Sequence, residues 1–131
     1  MDGIGANPKL VVILIGTNNM NYEGAAQTAE GIKSVTNEYL KRCPNAHILL
    51  LGIFPRGSNP ADPIRTKIAD INNRISVLNG GRVTYLDIGA QFLQPDGSIS
   101  SSIMPDYLHP SAQGYQIWAN AIQSVVNQYV P

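Results

Sequence analysis

The chain has one cysteine, one tryptophan, two phenylalanines and two histidines, and only 14% of its residues are charged. Each scarcity excludes something. Cys43 alone cannot close an intramolecular disulfide, and a single cysteine near the end of a helical pattern, with no activating neighbour, reads as packing rather than as a nucleophile. Nine basic residues balance nine acidic ones, so no net field steers the chain toward nucleic acid or an anionic membrane. A small neutral substrate suits that balance better. The longest apolar run, Leu10 to Ile15, is far too short to span a bilayer. The N-terminus carries neither a basic region nor a signal-length apolar region, so the expectation is a soluble chain with no visible export signal.

What is present is an alternation of strand and helix patterns. Leu10-Val11-Val12-Ile13-Leu14-Ile15 is a continuous aliphatic run stopped by Gly16, the pattern of a central strand buried on both faces. Ile48-Leu49-Leu50-Leu51-Gly52-Ile53 repeats it and stops at Phe54-Pro55, and Val83-Thr84-Tyr85-Leu86-Asp87-Ile88 is a more amphipathic third version. Between them, Ala26, Ala29, Ile32, Val35, Tyr39 and Leu40 mark one helical face, and Ile64, Ile68, Ile71, Ile75 and Leu78 mark another. The second helix has its ends written in: Asp62 as N-cap, Pro63 at the first helical position, Asn79-Gly80-Gly81 as the stop. A third helix follows Ser111, with Tyr115, Trp118, Ala119, Ile122, Val125, Val126 and Tyr129 along one stripe.

Parallel strands need crossover connections, and helices provide them, so this order predicts an α/β three-layer fold with about three parallel strands flanked by helices. With 131 residues and 44% hydrophobic content, residues 1–131 are read as a single domain. Ligands in such folds sit beyond the carboxyl ends of the strands. That directs attention to residues 16–20, 54–59 and 89–109.

Gly16-Thr17-Asn18-Asn19 after the first strand has two readings. Asn tolerates left-handed dihedrals and bonds its own backbone, which makes the segment turn chemistry; alternatively, the Asn18 amide held at a strand end is a neutral N–H donor for an oxyanion. Asp106-Tyr107-Leu108-His109-Pro110 also divides. A general base needs an imidazole whose tautomer is set by a carboxylate, and Asp106 with His109 supplies that pair; a solvated loop or a weak metal half-site uses the same residues. The only other histidine, His47, opens the second strand at its amino end and is expected on the far side of the sheet, so no metal site is predicted. No phosphate-cradling glycine loop is found either, so no cofactor is expected.

These segments carry a resemblance. Gly16-Thr17-Asn18-Asn19 is similar to the G-x-N block of SGNH (GDSL-type) serine hydrolases, and Asp106-x-x-His109-Pro110-Ser111-x-x-Gly114-Tyr115 is similar to their D-x-x-H-P block. Ile53-Phe54-Pro55-Arg56-Gly57 resembles a stretch of the platelet-activating-factor acetylhydrolase-like branch. The similarity runs from about Lys9 to about Tyr129. It implies a flavodoxin-like fold and a carboxylic-ester hydrolase (esterase, lipase or deacetylase) acting through serine. His109 would be the general base, Asp106 its orienter and Asn18 the oxyanion-hole side chain, while Asn19 stands where many members have Asp. Tyr115 and Trp118 are expected only to pack the last helix.

The family's nucleophilic serine sits in a G-D-S block, and a glycine of a second block donates a backbone N–H; neither block occurs here. Met1-Asp2-Gly3-Ile4 resembles the stretch before the family's third strand, so the expectation is a C-terminal portion of the fold, truncated at its N-terminus. Ser98, Ser101 and the serines beside them lie in a flexible loop ill-suited to hold a nucleophile. The family's strand order is 2-1-3-4-5, and removal of its first two strands would bare one edge of Leu10–Ile15. Homo-oligomerisation through that edge is the expected remedy. A non-catalytic remnant that self-associates or binds is the rival to an ester hydrolase acting on a small neutral substrate, and a small flavodoxin-like binder is the third reading.

Overall fold

A computed structural model describes residues 8–130. The stretch Met1-Asp2-Gly3-Ile4 lies outside the described residues. Three strands, β1 (Leu10–Ile13), β2 (His47–Leu51) and β3 (Val83–Leu86), alternate with helices α1 (Ala25–Arg42), α2 (Pro63–Ser76) and α3 (Ala112–Tyr129). Short 3-10 turns at Asn19–Asn21 and Gly89–Phe92 follow β1 and β3. The sheet is parallel in the order β1-β2-β3, with Leu10 opposite His47 and Ile48 opposite Val83.

The period-2 alternation of a strand splits these residues between two cores. Val11, Ile13, Ile48, Leu50 and Val83 pack with Ile32, Ile68, Ile71 and Ile75 under α1 and α2. Leu10, Leu49, Leu51 and Leu86 pack on the other face with Phe92, Met104, Trp118 and Ile122 under α3. Three layers result, as the element order predicts.

Several sequence expectations are corrected by this packing. Among the described residues β1 lies at the sheet edge, as expected of Leu10–Ile15 with two strands of the fold removed; it is shorter than the apolar run, ending at Ile13, with Val12 41% and Ile15 38% exposed. The strand buried on both faces is β2, where Ile48 through Leu51 are all buried. On α1, Ala26 is exposed, while Ala25 packs on the core and the polar Thr28 and Thr36 are buried. Thr36 tolerates burial because its hydroxyl donates to the Ile32 carbonyl one turn back, at 2.9 Å. On α3 the packed stripe is Ile117, Trp118, Ala121, Ile122 and Val125, whereas Ala119 and Tyr115 are exposed.

The helix ends follow the local chemistry. Asp62 accepts the Ile64 N–H at 3.0 Å as N-cap of α2, and Ser111 accepts the Gly114 N–H at 3.2 Å as N-cap of α3. The C-terminus of α1 is closed from outside by Arg82, whose guanidinium donates to the carbonyls of Leu40, Cys43, Pro44 and Ala46.

Asn72 is the polar residue that joins α2 to the sheet. It is 7% exposed; its carbonyl oxygen accepts the Ile53 N–H at 2.7 Å and its amide donates to the Ile53 carbonyl at 3.0 Å. Alanine there leaves two buried backbone groups unpaired, so Asn72→Ala is expected to cost about 2–4 kcal/mol. Urea unfolding of the pair of proteins measures it, and a loss below about 0.5 kcal/mol would show that water replaces the amide at no cost.

Candidate active site

Three loops at the carboxyl ends of the strands form the site. The first turns at Gly16, whose φ of +108° is reserved for glycine, and a Cβ there would meet Ile53 and Ile32 methyls at 3.0 and 3.1 Å. The Met20 N–H donates to the Gly16 carbonyl at 3.0 Å, and the Met20 side chain, fully buried, anchors the turn in the core. Asn18 and Asn19 stand between these anchors, exposed. Among the described residues the Asn18 side chain makes no capping hydrogen bond to its own turn.

The third loop, residues 102–111, is also pinned from below. Met104 is fully buried, the Ser111 N–H donates to the Ile103 carbonyl at 2.8 Å, and the Ser111 hydroxyl donates to the Ser102 carbonyl at 2.6 Å. Tyr107 takes a left-handed φ of 59°, a conformation a tyrosine rarely adopts, and its carbonyl accepts the Gly57 N–H at 3.0 Å. The reversal at Tyr107 brings Asp106 and His109 together. Asp106 Oδ1 accepts the N–H groups of Leu108 at 3.0 Å and His109 at 2.7 Å, and Oδ2 lies 2.6 Å from His109 Nδ1.

Those bonds explain the charge state of the carboxylate. The His109 backbone N–H, its ring and the Leu108 N–H together hold Asp106 well below the usual carboxylate range, and they act on its charged form. Both side chains are largely exposed, 73% for His109 and 55% for Asp106, so the pairing is a statement about orientation and tautomer, not a source of fold stability. With the proton on Nδ1 and donated to Asp106, Nε2 is left as an acceptor.

Asn18 and His109 line one cleft of about 410 Å³, together with Phe54, Leu108, Tyr115 and Trp118. No Lys, Arg, Asp or Glu among the described residues lines it, in keeping with a neutral ligand. Trp118 meets Phe54 edge-on at 5.1 Å, and Tyr115 stacks on Trp118 at 5.7 Å. Tyr115, expected only to pack its helix, therefore forms part of the cleft wall.

The structure separates the other candidates from this cleft. Among the described residues no serine lines it. The Ser98 hydroxyl donates to Asp96 at 2.6 Å, with Gln94 Oε1 3.1 Å away, and the Ser100 and Ser102 hydroxyls pair at 2.8 Å. His47 stacks on Tyr129 at 3.8 Å and bonds Thr84 at 2.7 Å, at the C-terminal end of α3, whereas His109 precedes its N-terminal end. A helix of this length, roughly 27 Å, lies between the two histidines. Burial, then Arg82, lowers the His47 pKa, which marks a packed imidazole.

Sequence reasoning missed two arginines. Arg65 donates to the carbonyls of Arg56, Gly97 and Gly57 at 2.8, 2.9 and 3.1 Å, and Arg56 reaches the Thr17 carbonyl at 3.1 Å and the Asn21 side chain. The only signal for either was Arg56 within Ile53-Phe54-Pro55-Arg56-Gly57; carbonyl partners so distant in sequence leave no local pattern.

This chain is similar to platelet-activating factor acetylhydrolase IB subunit alpha1 of Homo sapiens, 37% identical over 91% of this chain and 52% of that protein. It thus spans about half the length of the curated relatives it matches. Its fold is similar to that of a GDSL-like lipase from Bacteroides thetaiotaomicron, with a TM-score of 0.78 at 21% identity over 97% of this chain and 66% of the other. An acetyl-xylooligosaccharide esterase from Geobacillus shares the fold at a TM-score of 0.71 and 20% identity, over 99% of this chain and 63% of the other. The GDSL-like lipase/acylhydrolase family model matches residues 2–117, a span that takes in all three strands, the Asn18 turn and the His109 loop, and by that match the chain belongs to this family.

Proposed function

We propose that this chain carries the base and oxyanion half of a carboxylic-ester hydrolase that works by acyl transfer through serine. One observation carries the reading: His109, paired with Asp106 at 2.6 Å, lines one cleft with Asn18, whose side chain makes no capping hydrogen bond among the described residues. In this mechanism His109 Nε2 takes the proton of a serine hydroxyl as its oxygen attacks the ester carbonyl. The Asn18 N–H donates to the carbonyl oxygen as it becomes negative. Nε2 then returns the proton to the departing alkoxide, and a water activated by the same nitrogen cleaves the acyl-enzyme to the carboxylic acid. Asp106 stays ionised throughout and holds the imidazole in one tautomer.

The reading takes the serine from the part of the fold that the relatives have beyond the half matched here. The uncharged cleft and the name of the acetylhydrolase relative favour a short acyl ester of a neutral alcohol. Hydrolysis of p-nitrophenyl acetate tests it: turnover by this chain should be slow and should depend on His109. Fluorophosphonate labelling of Ser98 or Ser101 would overturn the assignment of the nucleophile.

A specific feature favours a second reading, for this chain by itself. The edge of β1, unpaired among the described residues, exposes Val12, and beside it a groove lined by Ile15 and Ile32 holds Thr28, whose buried hydroxyl has no partner among those residues. We propose that a second copy of the chain pairs along this edge. Sedimentation at micromolar concentration should give a mass above the 14.1 kDa of one chain, and Val12→Lys should shift it toward the monomer. A monomer at all concentrations would sink the proposal.

A further inference from the structure

We propose that Arg56 is a positioning residue that sets Asn18 in register with His109, an inference that rests on the ester-hydrolase reading. The two side chains come from opposite ends of the chain. Among the described residues no hydrogen bond joins the turn at residues 16–21 directly to the 102–111 loop. What joins them is one dipeptide in the loop after β2. The Arg56 side chain donates Nη1 to the Thr17 carbonyl at 3.1 Å and Nη2 to Asn21 Oδ1, while the neighbouring Gly57 N–H donates to the Tyr107 carbonyl at 3.0 Å.

The bond to Thr17 acts directly on Asn18. The Thr17 carbonyl and the Asn18 N–H belong to one planar peptide unit, so fixing that oxygen fixes the plane from which the Asn18 side chain departs. A second leg on Asn21 closes the turn from its other end. Guanidinium is planar and donates along two fixed directions, so it holds both legs at a set angle, which the single ammonium of lysine cannot. On the other side, the Gly57 bond lands on the strained Tyr107, between Asp106 and His109.

The dipeptide itself is rigid. Arg65 donates to the carbonyls of both Arg56 and Gly57, tying them to α2. Gly57 has φ +85° and a Cβ there would lie 2.4 Å from Asp62 Oδ2, the N-cap of α2, so the loop sits tight against the start of that helix. Arg56 does not line the cleft, so its effect passes through Asn18 and not through substrate.

The test uses the full chain with Arg56→Met and Arg56→Lys. Ester hydrolysis should show kcat lowered by roughly ten- to a hundredfold in Arg56→Met with KM nearly unchanged, because a displaced donor is lost in the transition state and not in ground-state binding. Arg56→Lys should recover part of the loss. Nitrogen-edited NMR supplies the second readout: in Arg56→Met the Asn18 amides should lose order, from the rigid value of about 0.85, and the His109 resonances should shift while those of Leu50 and Ile71 stay in place. Unmoved Asn18 and His109 resonances overturn the proposal whatever the assay gives. Moved resonances with unchanged kcat also overturn it, provided His109→Ala abolishes turnover. If His109→Ala leaves the rate unaltered, the hydrolase reading fails, and the NMR arm alone decides whether Arg56 sets the register.

Discussion

Replacing His109 with alanine is expected to remove all site-specific hydrolysis of p-nitrophenyl acetate by this chain, leaving the rate of buffer alone. The expectation follows from what remains at the cleft without the imidazole: Asn18 as a donor, and no base among its lining residues. General base catalysis by a positioned side chain contributes about a hundredfold to ten-thousandfold, and in a cleft that no serine lines among the described residues it is the largest contribution the proposed mechanism has. Asp106→Asn should lower the rate as well, because a neutral amide no longer holds the Nδ1–H tautomer. The pH dependence has a defined sign. Asp106 is held below its unfolded value, so its pairing is present above the ordinary carboxylate range and is lost only as pH falls through the depressed folded value. Carbon-detected NMR of the Asp106 carboxyl should therefore show no titration across mildly acid pH. Hydrolysis by His109→Ala at the parent rate would remove the chemical basis of the proposed mechanism.

Gly114→Ala is expected to destabilise the chain by about 3 kcal/mol and to displace the His109 loop. Gly114 is buried, and a Cβ there would fall 2.6 Å from the Ile103 carbonyl oxygen and 2.8 Å from Pro110 Cβ. The first obstacle is backbone and cannot swing aside. The same carbonyl accepts the Ser111 N–H at 2.8 Å, so relief of the clash breaks the bond that seats α3 beneath His109. Gly31 in α1 provides the contrast: nothing lies within 4 Å of its added Cβ, and Gly31→Ala should stabilise by about 0.5–1 kcal/mol. Opposite signs for the same chemical change are the signature sought. Urea unfolding gives both, and the Asp106–His109 contact can be followed by the Nδ1 proton. A Gly114→Ala protein as stable as the parent would mean that α3 slides outward at no cost.

Much of the fold and part of the site are legible in the amino-acid sequence. The apolar runs from Ile48 and from Val83 form β2 and β3, and Asp62 with Pro63 opens α2 where expected. The Asp106–His109 contact is also within reach of sequence, since three residues of separation in one loop keep the partners close whatever the rest of the chain does. Other expectations fail for a common reason. The apolar run from Leu10 to Ile15 continues past the strand, which ends at Ile13 and leaves Ile15 38% exposed, and Tyr115 falls on the helical stripe yet is 55% exposed. Composition records what a residue can bury, while its place in the sheet decides what is there to bury it.

By itself, then, the sequence determined the elements, their caps, the parallel three-layer arrangement and the pairing of Asp106 with His109, because each depends on periodicity or on neighbours within a few residues. Only the tertiary structure decided that Asn18 and His109 share a cleft, that Ser98 and its neighbours bond elsewhere, and that Arg56, Arg65 and Arg82 hold carbonyls from other loops. A carbonyl is identical in every residue. No side-chain pattern can announce which of them an arginine will reach, and that choice is made when segments remote in sequence pack against one another.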